Sequence, residues 1–131
     1  MKKQLRKIVI QNNEYLYKIN HNYLEDGTSS ILIRIYLTEQ KQTPLIIKFI
    51  TIDDYYIGQP LNFGVNLMNT IIGTFEKINI NEPKIVQKLI LQGLKNGWTG
   101  YNNNINIQDG LSYLKEFGYE IDMLIHKIDN E

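Results

Sequence analysis

The 131-residue chain has no cysteine, no alanine, two arginines, two histidines, three prolines and one tryptophan. Without cysteine there is no disulfide framework, no thiolate metal site and no cysteine nucleophile. That fits a reducing compartment. His21 and His126 stand far apart, and a catalytic zinc usually takes three protein ligands, so no metal site is expected. A charge excess is missing too, with 14 basic against 14 acidic residues. Nucleic-acid binders draw most of their affinity from a basic excess, so no nucleic-acid partner is expected. Long apolar runs are absent. Met1–Lys7 is basic like the start of an export signal, but only Ile8-Val9-Ile10 follows it. An export signal needs roughly 7–15 apolar residues there, and a membrane span about 20. A soluble, cytoplasmic protein off the membrane is the expectation.

What is present is skewed. Isoleucine occurs 22 times, asparagine 15, lysine 12 and tyrosine 9. These residues share A/T-rich codons, so the skew reads as genome composition rather than chemistry. The length suits a single domain over residues 1–131, large enough to fold without staples. A basic N-terminus (Lys2, Lys3, Arg6, Lys7) and an acidic-leaning C-terminus (Glu116, Glu120, Asp122, Asp129, Glu131) read as solvated ends or as a weak patch for a partner.

The first half reads as strands. Arg6–Ile10 and Tyr15–Asn20 flank Gln11-Asn12-Asn13-Glu14, a polar connection of hairpin length. In Ile31–Leu37, Ile31, Ile33, Ile35 and Leu37 alternate with Leu32, Arg34 and Tyr36, the mark of a sheet with one face on a core. Leu45–Ile50 repeats the rhythm after Pro44. Four strands with short connections predict an antiparallel meander. From Thr51 to Asn69 the pattern fails, and long irregular stretches are often functional. Thr70–Ile80 is β-branched, yet Val65, Met68, Ile71, Ile72 and Phe75 also fit helical spacing; Gly73 and the Ile78/Ile80 alternation favour a fifth strand.

The most legible element is a helix beginning at Pro83. Asn81 or Glu82 can cap it, and Pro83 suits its first turn. Ile85, Val86, Leu89, Ile90 and Leu94 form an apolar stripe, Lys95 suits the negative pole, and Gly97 closes it before Trp98. Trp98 is expected to fold back for burial. Ile105 and Ile107 form a short strand or anchor a loop. Asp109 can cap a second helix over Gly110–Phe117, with Leu111 and Leu114 inward and Gly118 at its end. Tyr119–Ile128 is expected to return as a final strand. The predicted fold is α+β: a mainly antiparallel sheet of about five to six strands with two helices on one face.

Little here carries chemistry. Asp53, Asp54, Tyr55 and Tyr56 could bring carboxylates and phenols into one pocket, and they form the candidate interaction surface. Adjacent carboxylates in a turn-like stretch are more often simply solvated. Glu25-Asp26-Gly27 lacks the oxygen spacing of a calcium loop. No glycine-rich phosphate loop and no nucleophile elbow is present. No catalytic residue and no cofactor is assigned.

The stretch Ile78-Asn79-Ile80-Asn81-Glu82-Pro83-Lys84-Ile85-Val86-Gln87-Lys88-Leu89-Ile90, running on to Gly93-Leu94-Lys95-Asn96-Gly97-Trp98, resembles a pattern in a loose group of small uncharacterised bacterial proteins. In that pattern a strand leads into a proline-started helix ending in Gly-Trp. Pro60-Leu61-Asn62 is similar as well. The chain departs after Trp98, where Thr99-Gly100 stands in place of the group's proline. The resemblance implies no activity and no site residues. The expected function is a non-catalytic protein-binding module, possible partners being a toxin, with this chain as an immunity-type protein, or a second copy of itself. The alternative is a small-molecule binder or enzyme using residues 53–56.

Overall fold

The computed structural model describes residues 5–24, 26–53, 58–102 and 106–125. Strands β1 (Arg6–Ile10), β2 (Asn13–Tyr23), β3 (Thr28–Leu37) and β4 (Leu45–Ile52) form the expected meander, each antiparallel to the next. The first connection is tighter than its polar run suggested. Asn13 and Glu14 join β2, and only Gln11 and Asn12 turn, both at positive φ (51° and 70°). Two left-handed central residues give a turn whose twist matches that of the strands.

The register puts Tyr17, Ile35 and Leu45 in one row, and Ile19, Ile33 and Ile47 in the next. Direct cross-strand partners share a face, so these rows line one side of the sheet. That side is the core: Tyr15, Tyr17, Ile31, Ile33, Ile35, Leu45, Ile47 and Phe49 are all buried in it. Each such side chain contributes on the order of 1.5–3 kcal/mol by leaving water. Leu16, Lys18, Leu32, Arg34, Ile46 and Lys48 occupy the opposite side and do not join the core cluster.

Helix α2 (Pro83–Lys95) covers the core side, burying Ile85, Val86, Leu89, Ile90 and Gly93. A Cβ at Gly93 would run into the side chain of Leu45, so the helix lies directly on β4. Glu82 is the N-cap residue but makes no side-chain cap bond; Asn81 instead holds Asn62 and Asn79. Since Ile80 N–H also donates to the Leu61 carbonyl (2.8 Å), the Pro60-Leu61-Asn62 stretch and the entry to α2 meet in space. The helix ends on Gly97 (φ 113°). Gly97 N–H donates to Leu94 (3.2 Å) and Trp98 N–H to Gly93 (2.9 Å), satisfying carbonyls the helix leaves open. Trp98 turns inward to 2% exposure. Its indole N–H donates to the Thr43 carbonyl (3.1 Å) and its ring sits 5.8 Å from that of Tyr15.

Helix α3 (Gly110–Glu116) packs on the same side, with Gly110 against Phe49. Asp109 caps it by accepting from Leu111 N–H (3.1 Å). Leu111, Tyr113 and Leu114 point in. The α+β architecture with the two longer helices on one side is therefore as expected.

Four segments differ. The described part of Thr51–Asn69 carries regular elements: Thr51 and Ile52 finish β4, α1 is Pro60–Phe63, and β5 is Val65–Asn69. Buried Gln59 organises it: its Oε1 accepts from Leu61 N–H (3.1 Å) and Thr51 Oγ1 (3.0 Å), and its Nε2 donates to Ser29. The strand expected in 70–80 is β6 (Thr74–Ile78), but it pairs with β5 in a separate two-stranded sheet. β5 was hidden because its apolar residues also fit a helical period. The final strand is not formed over the described part of 119–128: Tyr119 makes one bridge to Asn69, and Asp122–Ile125 is a helical turn, α4. That stretch fits both periods, and the buried pair Ile121 and Leu124 has helical spacing. The short strand near Ile105 and Ile107 lies one step later, as β7 (Gln108–Asp109), parallel to β4. Ile105 itself lies outside the described residues, and Ile107 is exposed. Among the described residues no helix is long and apolar enough to cross a membrane.

Candidate functional site

Of the four residues expected to form the interaction surface, Asp53 alone is described; Asp54, Tyr55 and Tyr56 lie outside the described residues. Asp53 leaves the end of β4 half-buried, its N–H donating to the Gly27 carbonyl (2.9 Å) in the β2–β3 turn. His21 is exposed near the end of β2, and His126 lies outside the described residues. Among the described residues no group of three or more His, Asp or Glu side chains is placed to hold a metal ion.

The β5–β6 hairpin has the most unusual surface. Asn69, 4% exposed, fixes its turn. The side-chain Oδ1 accepts from Ile71 N–H (2.9 Å) and Ile72 N–H (3.3 Å), while Nδ2 donates to the Phe117 carbonyl (3.1 Å). Thr70 N–H donates to Gly118 (2.8 Å) and Glu120 N–H to Met68 (2.9 Å), so the segment after α3 braces β5 from the side. On this pinned frame Ile71 is 72% exposed, Ile72 57% and Phe75 61%. The run Asn69–Phe75 carries no charge. Sequence reasoning missed the site because isoleucine and phenylalanine in a β-branched run read as core.

Below the tip, Glu76 of β6, Lys88 of α2 and Tyr119 meet beside a crevice of about 260 Å³, which Glu82 and Lys84 also line. The Tyr119 hydroxyl donates to Glu76 Oε1 (2.5 Å) and accepts from Lys88 Nζ (3.3 Å). Lys88 Nζ also stands 5.5 Å from the Tyr119 ring centroid and 5.8 Å from that of Phe117. Burial first, then the Glu76 carboxylate, push the Tyr119 hydroxyl up to about 12. At neutral pH it is a protonated donor rather than a base. These groups satisfy one another and tie three chain segments together, which makes them a clamp on the hairpin.

The fold thus presents a braced apolar tip at the β5–β6 turn. Family models, curated proteins and solved structures provide no match to this chain.

Proposed function

We propose that this chain is a non-catalytic protein-binding module whose contact element is the β5–β6 tip. The observation that supports this is the exposure of Ile71, Ile72 and Phe75 on a turn pinned by buried Asn69. Large apolar side chains in water cost free energy, and contiguous ones mark interaction surfaces. A turn held in place before binding loses little entropy when a partner closes on it. The partner is a protein with an apolar recess, since the tip offers no charge for a polar ligand. An immunity-type protein that plugs a toxin is a concrete form of this reading, with an interface near the standard ~1,600 Å².

The test is capture of a partner from the native host by wild type and by the Ile71→Asp/Ile72→Asp double variant. Loss of one specific partner by a variant that keeps its thermal midpoint supports the proposal. Equal capture by both proteins, or none by wild type, overturns it. Light scattering adds an arm: a dimer mass that the double variant reduces to monomer makes a second copy the partner.

A further inference from the structure

The outer side of the β1–β4 sheet is independent of the hairpin. Its described strand residues, with those of β7 beside β4, include the cations Lys7, Lys18, Arg34 and Lys48 and two carboxylates, Glu14 and Asp109, the latter across from Lys48 and accepting from Leu111 N–H and Ser112 Oγ. Glu14 is already engaged by Lys7 (3.3 Å). The whole chain is neutral, so this side is positive at the expense of the rest. Lys18 and Arg34 are direct cross-strand partners. Lys48 is the diagonal neighbour of Arg34 on β4, because Arg34 faces Ile46. Diagonal neighbours in a sheet lie about 7–8 Å apart, and like charges directly opposite each other destabilise the pair. Among the described residues no carboxylate lies within ion-pair distance of these three cations.

A sequence that specifies its fold at every level breaks a local rule chiefly where function requires it. A carboxylate arriving from outside would relieve the Lys18–Arg34 repulsion. Around the cations lie Leu16, Leu32 and Ile46, half-buried, and Ile50, 43% exposed. The aromatic ring on this side, Tyr36, is 5% exposed, so bases have no platform to stack on. Charge complementarity with aliphatic contacts therefore favours a protein over a nucleic acid.

We infer that the outer side of the β1–β4 sheet docks an acidic, leucine-bearing protein segment, with a partner carboxylate between Lys18 and Arg34. The interaction adds a second contact surface to the protein and does not require the hairpin tip. Amide shifts of the ¹⁵N-labelled full chain, at physiological salt, test it with three probes. One peptide alternates leucine and glutamate, the second replaces every glutamate by glutamine, and the third probe is single-stranded oligothymidylate. The leucine–glutamate peptide should shift amides of residues 16–20, 32–36 and 46–48 and bind at least about tenfold more tightly than the glutamine version. Lys18→Gln/Arg34→Gln should remove that difference while leaving the other amides in place. Ile71→Asp/Ile72→Asp should leave it intact, which separates this inference from the hairpin proposal. Equal binding of the two peptides, absence of shifts at those strands, or tighter binding of oligothymidylate would each overturn it, the last in favour of a nucleic-acid surface.

Discussion

Asn69 does two jobs with one side chain. Its carbonyl oxygen shapes the tip and its amide nitrogen anchors the tip to Phe117. Asn69→Ala should destabilise the protein by about 1–3 kcal/mol in urea unfolding, because three part-buried backbone groups lose their partner. Asn69→Asp keeps the oxygen but removes the donor to Phe117, so it separates the two jobs. Gln59 has a similar role under β4, and neither residue was visible in the sequence as anything but polar loop. A buried amide is recognisable only once its partners are placed, and those of Gln59 include Ser29, thirty positions earlier. Trp98 is the contrasting case. Its burial follows from a helix that stops on Gly97, since the closing turn directs the next side chain back toward the sheet.

Among the elements, β3, β4 and α2 were legible because each repeats one period for long enough to be unambiguous, and β1 and β2 because β-rich residues flank a short polar connection. Ile31, Ile33 and Ile35 fall on one side of β3 by alternation alone, and Ile85, Val86, Leu89 and Ile90 on one side of α2. Gly93 shows what periodicity leaves out. Alanine favours a helix interior by about 1 kcal/mol over glycine, yet a methyl group here meets Leu45. Gly93→Ala should therefore lower stability by about 1–3 kcal/mol, read by thermal or urea denaturation, as overpacking outweighs propensity. The hairpin responds in the opposite way. Ile71→Asp/Ile72→Asp touches exposed side chains and should change stability by no more than about 0.5 kcal/mol per site. On the outer sheet, Lys18→Glu should raise stability by about 0.2–1 kcal/mol, because it places an opposite charge across from Arg34. A substitution that stabilises the free protein while weakening its contacts would be the expected trade of stability for function.

For the molecule as a whole, charge and pH expose what the totals conceal. A net charge of zero coexists with a positive outer sheet. Tyr119 links folding to alkaline pH. Its hydroxyl titrates near 12 when folded against 10.0 for the free side chain. The folded state therefore holds a proton that the unfolded state gives up. The contribution is complete below about pH 10 and is lost as pH rises toward 12. Tyr15 and Tyr113 are raised by burial and act in the same direction. Denaturation midpoints should fall across that window, and Tyr119→Phe should shallow the fall without abolishing it.

By itself the sequence determined the meander, the Pro83 helix with its Gly-Trp ending and the Asp109-capped helix, because period and capping act within a few residues. Tertiary structure alone decided that 65–69 and 74–78 pair apart from the main sheet, that 122–125 coils rather than extends, and that Ile71 and Ile72 stay in water. In those segments the local pattern fits both strand and helix. The choice then rests on distant partners, such as the Phe117 carbonyl that holds Asn69 and the Glu76 carboxylate that holds Tyr119.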